Sequence, residues 1–191
     1  MAALAVGAQA PNFSAETHDG VALQLSELLG RGAVVLFFYP RDFTPGCTTE
    51  ACAFRDDYTD FVEAGAAVVG VSADSGESHR RFARHHNLPF PLISDADGSL
   101  RKAYGVDKVL GILPGRVTFV IDRQGIVRNV FDSSLFARRH SGDALAKVAN
   151  EDADPSAMID SLAPGVLELV RDDALLPDMY RRGVSNAAIQ E

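Results

Sequence analysis

Two unbroken apolar runs, Ala33-Val-Val-Leu-Phe-Phe38 and Ala66-Ala-Val-Val-Gly-Val71, constrain the fold of this chain more than any other feature. A strand with one wet face alternates apolar and polar residues. A run with no polar position must be covered on both faces, the condition of strands inside a parallel sheet flanked by helices. The stretch between the runs, from about Pro45 to Glu63, predicts the connecting helix. Residues 75–86 predict a second helix, Phe90-Pro-Leu-Ile-Ser-Asp95 a shorter strand, and residues 99–106 a third helix. Arg116-Val-Thr-Phe-Val-Ile-Asp122 and Ile126-Val-Arg-Asn-Val-Phe-Asp132 then flank Arg123-Gln-Gly125, a strand-turn-strand signature.

This order predicts an α/β fold of thioredoxin-like type over residues 1–150, with a mixed central β-sheet and helices on both faces. At 191 residues and 47% apolar, the chain is long enough for one well-buried core. A composition shift near Asn150 marks a C-terminal extension: residues 151–191 hold nine acidic residues against three arginines, and so carry −6 of the formal −8. Val166, Leu167, Leu169 and Val170 have helical spacing, and docking of this acidic, helical segment would keep Leu175, Leu176, Met179 and Tyr180 out of water. The negative balance, with no local Lys/Arg cluster, excludes the electrostatic footprint of nucleic-acid binding. No run reaches the length of a membrane-spanning helix. The N-terminus MAALAVGAQAPNF has no basic flank and is broken by Gly7, Gln9 and Pro11, so it reads poorly as a signal peptide. A cytoplasmic protein with no membrane partner is expected.

Both cysteines, Cys47 and Cys52, fall in FYPRDFTPGCTTEACAFRD, residues 38–56. Two are too few for a disulfide scaffold and, without a nearby histidine pair, too few for a structural zinc site. In a reducing compartment such a pair is more often catalytic than structural. Thr44 reads as the N-cap and Pro45 as the first helical residue, which puts Cys47 in the first turn, where backbone N–H groups favour an anion. Ionisation alone gives little speed. Lowering a thiol pKa from about 8.5 to about 6 raises the anionic fraction at neutral pH about thirtyfold, but a Brønsted coefficient of about 0.45 removes roughly tenfold of that. Fast displacement therefore needs fixed donors for the leaving atom. The candidates are the Thr44 hydroxyl, the amides of Gly46 and Cys47, and Arg116. In the strand that Arg116 opens, Val117, Phe119 and Ile121 define one face and Arg116, Thr118 and Val120 the other. If both faces are covered, Arg116 needs an anionic partner, which Cys47 and Glu50 could supply. The residues alone leave open a surface guanidinium at a strand end.

Pro40-Arg-Asp-Phe-Thr44-Pro-Gly-Cys47 resembles the Pro-x-x-x-Thr-x-x-Cys motif of peroxiredoxins. Cys52, with GVSADSGESHRRF and RVTFVID, resembles the bacterioferritin comigratory protein or peroxiredoxin Q branch over residues 7 to about 148. GAQAPNF, residues 7–13, resembles that family's first strand. The resemblance implies a peroxidase in which Cys47 attacks a hydroperoxide oxygen, releases water or an alcohol, and becomes a sulfenic acid. It implies that Thr44, Gly46 and Arg116 bind and polarise the peroxide, that Pro40 shields the sulfur, and that Glu50 holds Arg116. Without the resemblance, Pro40 merely ends a strand, Thr44 caps a helix, and Glu50 complements the helix dipole.

Phe54, Tyr58 and Phe61 recur at helical spacing and mark the buried face. Cys47 points within about 20° of Phe54, whereas Cys52 points about 160° away, beside Asp56, Thr59 and Glu63. Along an intact helix the two cysteine Cα atoms lie roughly 8 to 9 Å apart, beyond the ~7 Å limit for a disulfide. The resolving role that the resemblance implies for Cys52 therefore requires local unwinding, which Gly46, Thr48 and Thr49 make easier. No cofactor and no metal are implied. The five histidines read as scattered or solvent-facing, with His85 and His86 on a surface helix, His79 and His140 isolated and His18 in a turn. The implied partners are a hydroperoxide and a thioredoxin or similar dithiol reductant. An intrachain pair allows a monomer or weak homodimer. The alternative class is a peroxide-sensing redox switch or chaperone-type binding module on the same fold. A disulfide oxidoreductase fits less well, because four residues rather than two separate the cysteines.

Overall fold

The computed structural model describes residues 4–106, 108–109, 113–133 and 136–149. The acidic extension expected at 151–191 lies outside the described residues. In chain order the elements are β1 (Ser14–Glu16), β2 (Ala22–Gln24), α1 (Leu25–Leu29), β3 (Ala33–Phe38), α2 (Pro45–Asp56), α3 (Tyr58–Glu63), β4 (Ala66–Ser72), α4 (Gly76–His86), β5 (Leu92–Ser94), α5 (Ser99–Ala103), β6 (Lys108–Val109), β7 (Leu113–Pro114), β8 (Val117–Ile121), β9 (Val127–Asp132) and α6 (Arg139–Val148).

The two apolar runs become β3 and β4, neighbouring parallel strands in register from Ala33 opposite Ala66 to Phe38 opposite Val71. They form the centre of a five-stranded mixed sheet, ordered β5-β4-β3-β8-β9, with β8 antiparallel to both β3 and β9. Every residue of β3 is buried because alternate side chains enter two cores. Val35 and Phe37 pack with Phe54 of α2, Phe61 of α3, Phe82 of α4 and Val148 of α6. Val34, Leu36 and Phe38 pack with Leu25 of α1 and Leu100 of α5. The sheet is thus covered by helices on both faces, as its unbroken apolar strands require. The alternation expected in β8 is present: Val120 joins the first core, and Val117, Phe119 and Ile121 the second. Among the described residues no helix is long and apolar enough to cross a membrane.

Two expectations need correction. The single helix over 45–63 is two helices, separated at Asp57 (φ −92°, ψ 6°). There the Ser141 hydroxyl of α6 hydrogen-bonds the Asp57 carboxylate and reaches the Ala53 carbonyl at 3.4 Å, a carbonyl that still accepts from the Asp57 N–H at 3.0 Å. Residues 7–13 form no strand beyond one bridge from Gln9 to Ile126. Pro11 has no N–H to give a ladder, and regular pairing begins at Ser14 in the β1–β2 hairpin.

The close approach of β4 to its neighbours depends on Gly70, where an added Cβ would lie 2.6 Å from Leu92 Cδ2 and 2.8 Å from Phe37 Cζ. Gly70→Ala is expected to lower the unfolding free energy in urea by about 1–3 kcal/mol through overpacking. An unchanged unfolding midpoint would contradict this packing.

Candidate active site

Beyond β3 the chain turns through residues 39–44 into α2. Tyr39 is buried and Pro40 half-buried. Phe43 adopts φ +57°, a strained conformation for a bulky side chain. It delivers Thr44 to the N-cap position in an extended conformation (φ −85°, ψ 145°), with Pro45 as the first helical residue. The expected Thr44 side-chain cap is absent. Its hydroxyl turns back over the loop and donates to the Arg41 carbonyl at 3.0 Å, so the amides of the first turn remain available to an anion.

Cys47, in that first turn, is 1% exposed, and its Sγ lies 3.5 Å from Nη2 of Arg116. Nη1 of the same guanidinium donates to Glu50 Oε2 at 2.5 Å and to the Gly46 carbonyl at 3.2 Å. The planar fork of one buried arginine therefore spans three residues of α2. Gly46 must be small, since a Cβ there would come within 2.9 Å of Arg116 Nη2. Sequence reasoning named Cys47 and Glu50 as partners of Arg116 but not the Gly46 carbonyl.

It missed a second guanidinium. Arg101 of α5 is buried and donates to the carbonyls of Gly115 and Tyr39, both at 2.9 Å. It thereby fastens the segment preceding β8 to the start of the active-site loop. Burial pulls its pKa down, opposed by the charges of Asp95 and Cys47. In the sequence, Arg101 looks like any arginine of a short amphipathic helix.

Glu50 is fully buried, and burial pushes its carboxyl up to about 8 against the pull of Arg116. Its other oxygen, Oε1, has no hydrogen-bond partner and lies 3.4 Å from Nδ1 of His140. His140, on α6, is itself fully buried, with Nδ1 2.7 Å from the Thr118 hydroxyl and Nε2 2.9 Å from the Ser133 carbonyl. Burial pulls its pKa down to about 4, so the ring is neutral at pH 7, donating through Nε2–H and accepting at Nδ1.

His79 is not isolated either. Its Nδ1 lies 2.9 Å from Asp42 Oδ2 and its Nε2 3.2 Å from the Ile93 carbonyl. The Tyr39 hydroxyl donates to Asp42 Oδ1 at 2.8 Å and the Ser78 hydroxyl to Oδ2 at 2.7 Å. This network clamps the loop carrying Thr44 to α4 and β5. His140 sits singly on α6 and finds its partners through tertiary contacts, whereas His79 shares a helical spacing with Phe82, Ala83 and His86 of α4, a pattern that could have placed it on the buried face.

Cys52 stands apart from the Cys47 cluster. It is half-buried, on the side of α2 away from Phe54 as expected, but α4 covers it: its Sγ lies 3.9 Å from Nδ1 of His86. Both thiols are free. Among the described residues no group of three His, Cys, Asp or Glu side chains is placed to hold a metal.

The burial of His140 has a consequence for stability. The folded state keeps it neutral down to about pH 4, whereas an unfolded histidine takes a proton below about 6.5. At this site the folded state therefore binds fewer protons in that interval, and the contribution of His140 to stability falls as pH drops from about 6.5 to about 4, by on the order of 3 kcal/mol, while Glu50, raised by burial, contributes with the opposite sign. His140→Gln removes this titration. Relative to wild type, its urea midpoint is expected to rise as pH drops across that interval, and parallel pH profiles would contradict the assignment.

Residues 6–130 match the AhpC/TSA family. The chain is 46% identical over 140 residues to the chloroplastic peroxiredoxin Q of Oryza sativa subsp. japonica, an alignment covering 73% of this chain and 64% of the relative. It is equally identical over 140 residues to the chloroplastic peroxiredoxin Q of Sedum lineare, covering 73% and 75%. It therefore spans just under two thirds of the rice relative's length. Among solved structures, peroxidoxin BcpB from Mycobacterium tuberculosis is 39% identical with a TM-score of 0.71, covering 78% of this chain and 97% of that one. Peroxiredoxin Q from Xanthomonas campestris is 33% identical with a TM-score of 0.65, covering 71% and 89%. By its thioredoxin-like fold, its motif from Pro40 to Cys47 and a match that spans most of its length, the chain belongs to the AhpC/TSA family.

Proposed function

We propose that this chain is a thiol-dependent peroxidase in which Cys47 reduces hydrogen peroxide and organic hydroperoxides. The observation that carries the reading is the Arg116 fork, which touches the sulfur through one nitrogen and Glu50 through another. The Cys47 sulfur attacks one peroxide oxygen, the O–O bond breaks, and the departing oxygen takes a proton to leave as water or an alcohol. Cys47 is left as a sulfenic acid. Negative charge moves from sulfur to the leaving oxygen during this step. A guanidinium already fixed beside the sulfur, with the helix-end amides of Gly46 and Cys47, stabilises that charge without reorganising. The Thr44 hydroxyl, one turn away, orients the peroxide, and Pro40 limits water at the sulfur. Glu50 is a positioning residue that acts through Arg116.

Cys52 then resolves the sulfenic acid into an intramolecular disulfide. Since the two thiols face opposite sides of α2, the first turn must open, and its composition of Gly46, Thr48 and Thr49 favours this. Thioredoxin or a similar dithiol protein reduces the disulfide. A reducing compartment such as the cytoplasm supplies that donor, a placement resting on the sequence alone; the plant relatives carry chloroplast in their names. The peroxiredoxin names of the relatives support the reading as a whole.

The test is to add one equivalent of hydrogen peroxide to reduced protein and map the products by peptide mass spectrometry. A Cys47–Cys52 bond within one chain is expected, together with loss of peroxide consumption in Cys47→Ser. A stable sulfenic or sulfinic acid on Cys47 with Cys52 still free would remove the resolving role.

A further inference from the structure

We propose that His86 is the proton acceptor for Cys52 when that thiol attacks the Cys47 sulfenic acid. The proposal rests on the peroxidase reading and concerns its second step. The Cys52 sulfur lies 3.9 Å from His86 Nδ1, within reach of an S–H···N contact, and no other imidazole approaches it among the described contacts. The ring is held from several sides. Its edge packs against Phe82 at 4.9 Å and against His85 at 4.6 Å, and it tilts over Phe43 at 6.2 Å. Arg55 Nη1 of α2 donates to the His86 carbonyl at 2.9 Å, which binds the Cys52 half of α2 to the end of α4.

The surroundings keep the ring in its accepting form. From α2 it faces Arg55, from its own helix His85, and from the active-site loop the Phe43 ring, over which Arg81 sits at 5.9 Å. Burial, His85 and Arg55 all lower the His86 pKa. A neutral imidazole is therefore present at pH 7 to take a proton.

The same contacts decide which cysteine moves. Ala51, Ala53 and Phe54 are buried and Arg55 is tied to α4, so the middle of α2 is anchored. The first turn has no side-chain cap and contains Gly46, Thr48 and Thr49. Opening this turn carries the Cys47 sulfenic acid towards a Cys52 that stays beside His86, so the imidazole is still in contact when the new bond forms. Nδ1 takes the Cys52 proton as the Cys52 sulfur attacks the Cys47 sulfur, and the S–O bond breaks. The departing hydroxide recovers the proton from the imidazolium and leaves as water. Cys52 is oxidised and Cys47 reduced by equal amounts, so no external oxidant is needed.

The gain is readable because an unassisted thiol with a pKa near 8.5 is only about 3% ionised at neutral pH. Quench-flow of the full chain with one equivalent of hydrogen peroxide, followed by alkylation and mass spectrometry, separates the two steps. In His86→Gln the loss of the Cys47 thiol is expected at the wild-type rate, while the Cys47–Cys52 disulfide forms about tenfold or more slowly at pH 7. The deficit should shrink towards pH 9, where hydroxide can take the place of the missing base, and added imidazole should restore the rate of His86→Gly. A wild-type disulfide rate in His86→Gln at pH 7 overturns the proposal. So does a slow rate that neither high pH nor imidazole repairs, since that marks a packing role. If the wild-type chain itself forms no Cys47–Cys52 bond, the resolving step falls first, and that result is read before any variant is made.

Discussion

A guanidinium buried beside a sulfur is the contact on which the rest of the site depends. Arg116 is 5% exposed, and an unpaired cation at that depth would be strongly destabilising. It is tolerated because α2 presents the Glu50 carboxyl, the Gly46 carbonyl and the Cys47 sulfur to the same fork. The pairing orients the first turn of α2 against the start of β8 and fixes a donor beside the reacting atom. Stability and proposed chemistry thus draw on one interaction. The supporting groups follow from it: His140 closes off the far side of Glu50, and Arg101 fastens the loop and the segment leading into β8 from the opposite core.

The two proposed steps place opposed demands on α2. Peroxide cleavage needs an ordered first turn under Arg116, whereas disulfide formation needs that turn to open. The fold divides the labour along the helix. Its middle is held by buried Phe54 and by Arg55 on α4, while its start is uncapped and follows a residue at positive φ, Phe43. The Asp42–His79 network clamps the loop just ahead, so opening can begin at Pro45 without loosening the sheet.

The sheet was legible in the sequence because it is written in local pattern. AVVLFF and AAVVGV could only be strands covered on both faces, and the alternation in RVTFVID correctly divided Arg116 and Val120 from Phe119. The motif around Cys47 was legible for the same reason, being contiguous. What escaped was tertiary. The break falls at Asp57, whose carboxylate is bonded by Ser141 of a distant helix, and the Thr44 hydroxyl was drawn to a loop carbonyl rather than to the helix end. The buried histidines escaped too, because the partners that satisfy them, Asp42 for His79 and Thr118 for His140, are distant in sequence. His86, read as solvent-facing, proved to lie against Cys52.

In the proposed mechanism Arg116 acts on charge developing at the leaving oxygen and not merely on the sulfur. Comparing Arg116→Gln with wild type in two reactions of Cys47, hydrogen peroxide reduction and iodoacetamide alkylation, tests it most directly, since only the first places charge on an oxygen beside the guanidinium. The second-order rate with peroxide is expected to fall by about a hundredfold or more while alkylation falls far less. Equal losses in the two reactions, or an undiminished rate with peroxide, would contradict it.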